Sequence, residues 1–171
     1  MKNFAIISVI FALSLCFSCN GKKKEYHVPY YDSSETTVAS DVVSVPFKEE
    51  YGVKTVQVEI NSCAAFPMIL DTGCSGMHIS VLEVYVLAKQ GHLTADDIEG
   101  YQYSQIADGS IMENMVVNLK EVRIGDLVCH NVKATVSDNP DVPILLGNGV
   151  LDEVESIHVN NYEKTVEFKL K

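Results

Sequence analysis

Apolar and polar residues alternate in several short runs over residues 42–171, and this period of two is typical of β-strands with one buried face. The alternation is clear in residues 55–60, 132–136 and 165–170, where every second residue is aliphatic or phenylalanine. These runs are predicted to be strands that turn their apolar side chains towards a common core.

Two further runs are apolar throughout, which is the pattern of a strand buried on both faces. Phe66–Leu70 leads directly into Asp71, and Val142–Leu146 leads directly into Gly147. Both runs are predicted to be interior strands, and each is expected to end in a tight turn.

Residues 101–124 predict two long strands joined by a hairpin, because Asp-Gly between β-forming flanks is a strong turn signal. The turn is predicted at Ala107, Asp108, Gly109 and Ser110. The apolar alternation in the second strand changes phase near Lys120, which predicts a β-bulge there.

Helical signals are few and short. A strand over Ile79–Leu82 is expected to lead into a helix over Val84–Lys89, which Gly91 ends. Thr94–Asp97 has the pattern of an N-cap and first turn, and Val150–Val154 suits another short helix. Many short strands separated by turns predict a closed or sandwiched fold that is mostly β.

The N-terminus, residues 1–19, is predicted to be a targeting segment rather than part of the fold. Lys2 is followed by an almost unbroken apolar stretch from Phe4 to Phe17, which is too short for a stable membrane span. Ser18 and Cys19 then match a bacterial lipoprotein processing site, so a lipid anchor at Cys19 is expected. A plain secretory signal cut nearby is the alternative.

Residues 20–41 are predicted to be a flexible tether, because they are rich in lysine, serine and threonine and contain almost no aliphatic residues. The remaining residues, 42–171, form the predicted domain. The expected location is the bacterial cell envelope, lipid-anchored and facing the periplasm or cell surface. A soluble periplasmic or secreted protein is the alternative.

Charge and histidine spacing exclude some classes of function. The net charge of −10 and the pI near 4.8 argue against binding to nucleic acid. The five histidines stand singly and none has the spacing of a zinc-binding pair, so no metal is expected. Outside the targeting segment and Cys19, the chain has an odd number of cysteines, and no disulfide is predicted among Cys63, Cys74 and Cys129.

Asp71-Thr72-Gly73 is the motif that carries candidate chemistry. A buried strand that ends in this tripeptide lifts a carboxylate onto a tight turn, where it can act as an acid or a base. A plain turn, in which the aspartate only accepts backbone hydrogen bonds, is the alternative. Sugar kinases and actin-like ATPases also use Asp-x-Gly, but they need two such loops and a longer chain than 171 residues.

Three motifs together resemble the retropepsin-like aspartic proteases, over the region from about Val45 to Leu170. They are Asp71-Thr72-Gly73, the Ala107–Ser110 turn, and the apolar pair before Gly147, in the order and spacing of that family. The resemblance implies a closed β fold with one or two short helices, equivalent to half of a pepsin. It also implies a two-fold homodimer and no cofactor.

The resemblance implies a role for each residue of the first motif. Asp71 matches the catalytic carboxylate, and Thr72 matches the threonine that hydrogen-bonds across the dimer axis. Gly73 allows the turn, and Ser75 matches the residue whose hydroxyl supports the outer oxygen of the aspartate. Cys74 stands where a small alanine or serine is common.

The other two motifs have implied roles as well. Ala107–Ser110 matches the flap, a hairpin that closes over an extended substrate. Leu145 and Leu146 match the apolar pair that walls the cavity, and Gly147 matches the glycine that passes beneath the catalytic loop. Asn148 stands where retroviral enzymes carry an arginine, so the dimer contacts of that arginine are not expected here.

The sequence therefore predicts an aspartic endopeptidase that activates water between the two Asp71 carboxylates of a homodimer. Its partners are expected to be a protein or peptide substrate, a second copy of the chain, and a membrane through Cys19. The alternative is a non-catalytic module that keeps the fold and uses the groove to bind an extended peptide.

Overall fold

The computed structural model describes residues 41–105 and 108–171, which belong to one compact unit, Ala39–Lys171. The predicted targeting segment with Cys19, nearly all of the predicted tether 20–41, and Ala107 lie outside the described residues. The described strands are β1 (Val42–Pro46), β2 (Lys48–Glu50), β3 (Val53–Ile60), β4 (Ala64–Leu70), β5 (Met77–Ser80), β6 (Ile98–Gln105), β7 (Ile111–Ile124), β8 (Leu127–Ser137), β9 (Leu145–Leu146), β10 (Val154–Asn160) and β11 (Thr165–Leu170).

Two α-helices, α1 (Val81–Lys89) and α2 (Asn148–Leu151), and a 3₁₀ turn at Ala95–Asp97 complete the described secondary structure. The fold is mostly β with short helices, as the sequence predicted.

The strands of the larger sheet close on themselves. β3, β4, β9, β5, β8 and β7 pair in that order, and β7 pairs back with β3 through Glu59–Arg123 and Ile60–Val122. β2 and β6 extend this ring at their outer edges. β1, β11 and β10 form a separate antiparallel sheet of three strands. The prediction of a closed β fold is confirmed.

The core is one cluster of buried side chains from both sheets, and it is built from the alternating residues that the sequence marked as apolar. Val56, Val58 and Ile60 on β3 have at most 1% of their surface exposed, and Val166 and Phe168 on β11 have none. Each fully buried side chain of this size stabilises the folded state by about 1.5–3 kcal/mol. The prediction of inward-facing residues on these strands is confirmed.

Helix α1 begins three residues earlier than predicted, and the predicted strand Ile79–Leu82 ends at Ser80. The reason is a capping box. The backbone N–H of Leu82 donates to the Ser80 hydroxyl at 3.1 Å, and the Ser80 backbone N–H donates to the Glu83 carboxylate at 2.8 Å. These bonds satisfy donors that a strand would have left unpaired, so the helix starts at Val81. Gly91, with φ of 77°, follows its end.

The region around the second apolar run also differs from the prediction. Only Leu145 and Leu146 of Val142–Leu146 form a strand. The following helix spans Asn148–Leu151 instead of Val150–Val154, because the Gly147 carbonyl accepts from the N–H groups of Val150 at 3.1 Å and Leu151 at 3.2 Å. Strands β1, β2 and β10 were not predicted.

The predicted bulge near Lys120 is wrong. The ladder between β7 and β8 is interrupted opposite this residue, where Asn131 has φ of 56°. However, Leu119 pairs with Val132 and Glu121 pairs with His130, so the register is the same on both sides. A bulge requires an extra residue in one of the two strands, and neither strand has one here.

Ser80 is only 1% exposed, and its hydroxyl caps α1. Replacing Ser80 by alanine removes that hydroxyl. We expect Ser80→Ala to lower the free energy of unfolding by about 1–2 kcal/mol, measured by urea denaturation of the full chain. Ser156→Ala, at an exposed site on β10, is the matched control and should change it by less than about 0.5 kcal/mol. Equal effects of the two changes would contradict the capping role.

Candidate active site

Asp71 follows β4 directly, and its position is set by the parallel pairing of β4 with β9. The Ile69 N–H donates to the Ile144 carbonyl at 2.9 Å, and the Asp71 N–H donates to the Leu146 carbonyl at 3.0 Å. The backbone of the aspartate is therefore held against β9 by a ladder hydrogen bond, at the point where the two strands end. Its side chain is half-buried.

A tight turn follows, as the sequence predicted. The Cys74 N–H donates to the Asp71 carbonyl at 3.2 Å, and the Gly73 N–H donates to Oδ1 of Asp71 at 2.9 Å. A Cβ atom on Gly73 would lie 3.1 Å from that oxygen, so glycine leaves room for the carboxylate to fold back over the turn. One oxygen is thus fixed by the backbone. Within the described ranges, Oδ2 has no protein hydrogen-bond partner.

Gly147 lies directly against this loop. A Cβ atom at this position would sit 2.1 Å from the Gly76 carbonyl oxygen and 2.5 Å from that of Cys74, distances that atoms cannot adopt. The φ of Gly147 is −111°, which any residue accepts, so the need for glycine here is a need for space. The Asn148 N–H then donates to the Cys74 carbonyl at 2.9 Å.

Asn148 makes a second contact with the same loop. Its side-chain Nδ2 donates to the Thr72 carbonyl at 3.2 Å. The side chain and backbone of Asn148 therefore hold both ends of the segment Thr72–Cys74 within one chain. Sequence reasoning noted Asn148 only as a departure from the arginine of the resemblance. The signal for its role is an amide donor directly after the glycine that contacts the loop.

The structure does not bring every predicted residue to Asp71. The Ser75 side chain is exposed, and among the described residues no hydrogen bond joins its hydroxyl to the aspartate. The contact that the resemblance implied for Ser75 is not formed within this described chain, and the Gly73 N–H is the group that contacts Oδ1. Thr72 is exposed as well, and the Cys74 thiol donates to the Gly76 carbonyl at 3.4 Å.

The hairpin of β6 and β7 carries the residues that matched the flap. Gly109 has φ of 87°, and the Ser110 N–H donates to Oδ1 of Asp108 at 2.8 Å. Hydrogen bonds from the side chain and backbone of Ser110 lower the pKa of Asp108. Gln105 Nε2 also donates to the Gly109 carbonyl at 3.3 Å. The described part of the turn is thus organised by local polar contacts.

Apolar side chains on this hairpin face solvent. Tyr103 is 75% exposed and Ile111 is 69% exposed, and Tyr101 and Met112 are exposed too. Exposed large apolar groups that cluster on one hairpin are typical of a surface that contacts a ligand or a partner chain.

An open groove of about 510 Å³ lies on the outer side of β3 and β4. Its wall includes Ile69, which is two residues before Asp71 in the sequence, and Ile144, whose carbonyl accepts from the Ile69 N–H. The rest of the wall is made by β2, β3 and Pro67, with the residues Lys48, Glu50, Tyr51, Val53 and Thr55.

Other chemistry is limited in the part of the chain that the structure describes. No group of three or more His, Cys, Asp or Glu side chains there is arranged to hold a metal ion. Cys63, Cys74 and Cys129 are free thiols, and burial raises the pKa of Cys63 and Cys129. Neither α1 nor α2, nor any other described helix, has the length and apolar character of a membrane span.

Comparison with known proteins gives two positive findings. The profile of a family described as aspartyl protease matches residues 56–150, which include the Asp71 loop, the hairpin and Gly147. The crystal structure of a retropepsin-like aspartic protease from Rickettsia conorii is similar in fold, with a TM-score of 0.56 and 15% identity. The similarity covers 75% of this chain and 90% of that one. No curated protein matches by sequence.

Replacing Gly147 by alanine tests the close approach of α2 to the Asp71 loop. The added Cβ must displace the carbonyl groups of Gly76 and Cys74, so we expect Gly147→Ala to lower the free energy of unfolding by about 3 kcal/mol. Gly76→Ala is the matched control, because its Cβ would meet no atom within 4 Å. Urea denaturation should show no loss beyond about 0.5 kcal/mol for that variant.

Proposed function

Because this chain belongs to the aspartyl protease family and has the retropepsin-like fold, we propose that it is an aspartic endopeptidase that works as a homodimer. Water is activated between two Asp71 carboxylates, one from each copy. The observation that carries this proposal is the Asp71 carboxylate, fixed through Oδ1 by the Gly73 N–H on a loop that β9 and α2 hold in place.

Hydrolysis of a peptide bond without a metal needs a base for the water and an acid for the leaving nitrogen. Two carboxylates held close together supply both, because like charges at that distance cannot both ionise and one retains a proton. The sequence contains one Asp-Thr-Gly motif, so the second carboxylate has to come from another copy. A two-fold axis through the site places two identical groups face to face.

The surroundings of Asp71 suit an extended peptide. The groove lined by Ile69 and Ile144 offers an apolar wall on the strand that leads into Asp71. The hairpin of β6 and β7 presents exposed tyrosines and Ile111, and a hairpin of this kind can close over a bound chain and pair with its backbone.

A non-catalytic module that binds an extended peptide is the second candidate. The observation that favours it is the missing contact between the Ser75 hydroxyl and Asp71, which leaves the carboxylate with one fewer support. The two candidates share the fold and the groove, so only a test of bond cleavage separates them.

Mixing subunits tests the shared site. Wild-type and Asp71→Asn chains are refolded together in equal amounts and assayed with a peptide library. If an active dimer needs both aspartates, random pairing leaves about a quarter of the dimers active, so activity should fall to about a quarter of that of the all-wild-type sample. Independent sites would retain about half.

Asp71→Asn homodimers serve as the control and should be inactive. Asp108→Asn, which changes an exposed aspartate of the hairpin in the same way, should not reproduce the dilution effect. Retention of half the activity, after mass spectrometry confirms subunit exchange, would show that Asp71 does not meet its counterpart across an axis. No cleavage by a wild-type dimer would favour the binding module.

We also propose that the protein is attached to a membrane of the bacterial cell envelope by a lipid on Cys19, with its domain on the periplasmic or outer side. The support is the sequence alone, in which Ser18 and Cys19 follow an apolar stretch. Cys19→Ala should release the protein from the membrane fraction or leave the precursor unprocessed, as seen by fractionation and mass. Cys63→Ala is the control, and unchanged membrane association of Cys19→Ala would exclude the anchor.

A further inference from the structure

His78 lies on the same face of the larger sheet as Ile69, which is two residues before Asp71. Paired residues of neighbouring strands place their side chains on one face of a sheet. Ile69 pairs with Leu145, Leu145 pairs with His78, and His78 pairs with Thr135, so these four half-buried side chains form one row. We call it the outer row.

The neighbouring positions form the opposite row, which faces the interior. Met68, Met77, Ala134 and Leu146 have none of their surface exposed. Since successive residues of a strand point to opposite faces, the outer row points away from the core. His78 is therefore not a core histidine, although its neighbours on β5, Met77 and Ile79, are fully buried.

The outer row joins three features of the site. At one end, Thr55 pairs with Ile69, and both line the groove on the outer side of β3 and β4. At the other end, Thr135 pairs with Val116 on β7, the strand that carries the hairpin. His78 stands between them, two residues after the loop that ends at Gly76.

The contacts of Thr135 favour one tautomer of the imidazole. A carbonyl group can only accept, so the Thr135 hydroxyl can donate to the Met77 carbonyl at 3.3 Å while its oxygen accepts from Nδ1 of His78 at 2.8 Å. In the tautomer that satisfies both contacts, Nδ1 bears the hydrogen and Nε2 carries the lone pair. Among the described residues, Nε2 has no hydrogen-bond partner.

Burial lowers the pKa of His78, and no charged group contributes to that change. The imidazole is therefore neutral at neutral pH, and in the tautomer with the hydrogen on Nδ1 the free nitrogen, Nε2, is an acceptor.

We infer that His78 is a specificity-determining residue, whose Nε2 accepts a hydrogen bond from a hydroxyl or amide group on a substrate side chain next to the scissile bond. This inference rests on the proposed peptidase function and adds a substrate class to it. An apolar side chain of the same shape would leave Nε2 without a partner, and sites that hold a substrate through hydrogen bonds reject such analogues.

The test compares peptides that differ only by a threonine or a valine, placed in turn at each position beside the scissile bond. For the full-length wild type, we expect kcat/KM at one position to favour threonine by about five- to tenfold. His78→Leu should reduce that preference to about one. His78→Gln should restore part of it, because a glutamine amide oxygen can accept the same bond.

Two further variants separate recognition from structure. His158→Leu changes an exposed histidine on β10 and should leave the preference unchanged. Thr135→Val removes the acceptor that fixes the tautomer, and should weaken the preference without abolishing cleavage of the valine peptide. An equal loss for both peptides in His78→Leu, with no rescue by His78→Gln, would overturn the inference and show a structural role.

A binding measurement distinguishes a failure of the His78 inference from a failure of the proposed peptidase function. Fluorescence anisotropy of the same labelled peptides with Asp71→Asn protein reports the preference without cleavage. Peptides that bind with the threonine preference but are never cut by the wild type would contradict the peptidase and support His78. Cleavage without any preference for threonine would contradict His78 alone, and neither binding nor cleavage would overturn both.

Discussion

The short parallel contact between β4 and β9 is the constraint on which the candidate site depends. Two ladder hydrogen bonds join the ends of these strands, and Asp71 is the donor of the last one. Directly beyond it, Gly147 lets the chain pass at a distance that no other residue tolerates. The same few residues therefore join β4 to β9 within the ring, start helix α2 and fix the backbone of the aspartate.

The sequence predicted strands most accurately where a strand buries one face and exposes the other. The alternating runs of β3, β8 and β11 place their apolar residues inside, and the turn after Leu70 followed from glycine and the apolar run before it. Strand β2 escaped prediction because Lys48, Glu49 and Glu50 are all exposed and charged, so it has no alternation. Strand β10 is a sheet edge that buries only Val154 fully, which weakens its periodicity in the same way.

Contacts between distant parts of the chain were harder to foresee. The bond from Asn148 to Thr72 spans 76 residues, and the one local signal for it is an amide side chain directly after Gly147. The resemblance implied that the Ser75 hydroxyl supports the outer oxygen of Asp71, but among the described residues the carboxylate accepts from the Gly73 N–H and not from Ser75. The outer row that contains His78 follows only from strand register, which a one-residue shift would reverse.

The link between Asn148 and Thr72 joins an uncharged amide to a carbonyl group. Neither partner gains or loses a proton over the range in which carboxylates titrate, and dissolved ions screen such a bond far less than they screen an exposed ion pair. This link between α2 and the Asp71 loop is therefore largely independent of acidity and ionic strength. The bond from the Gly73 N–H to Oδ1 differs from it, because its acceptor is the carboxylate itself.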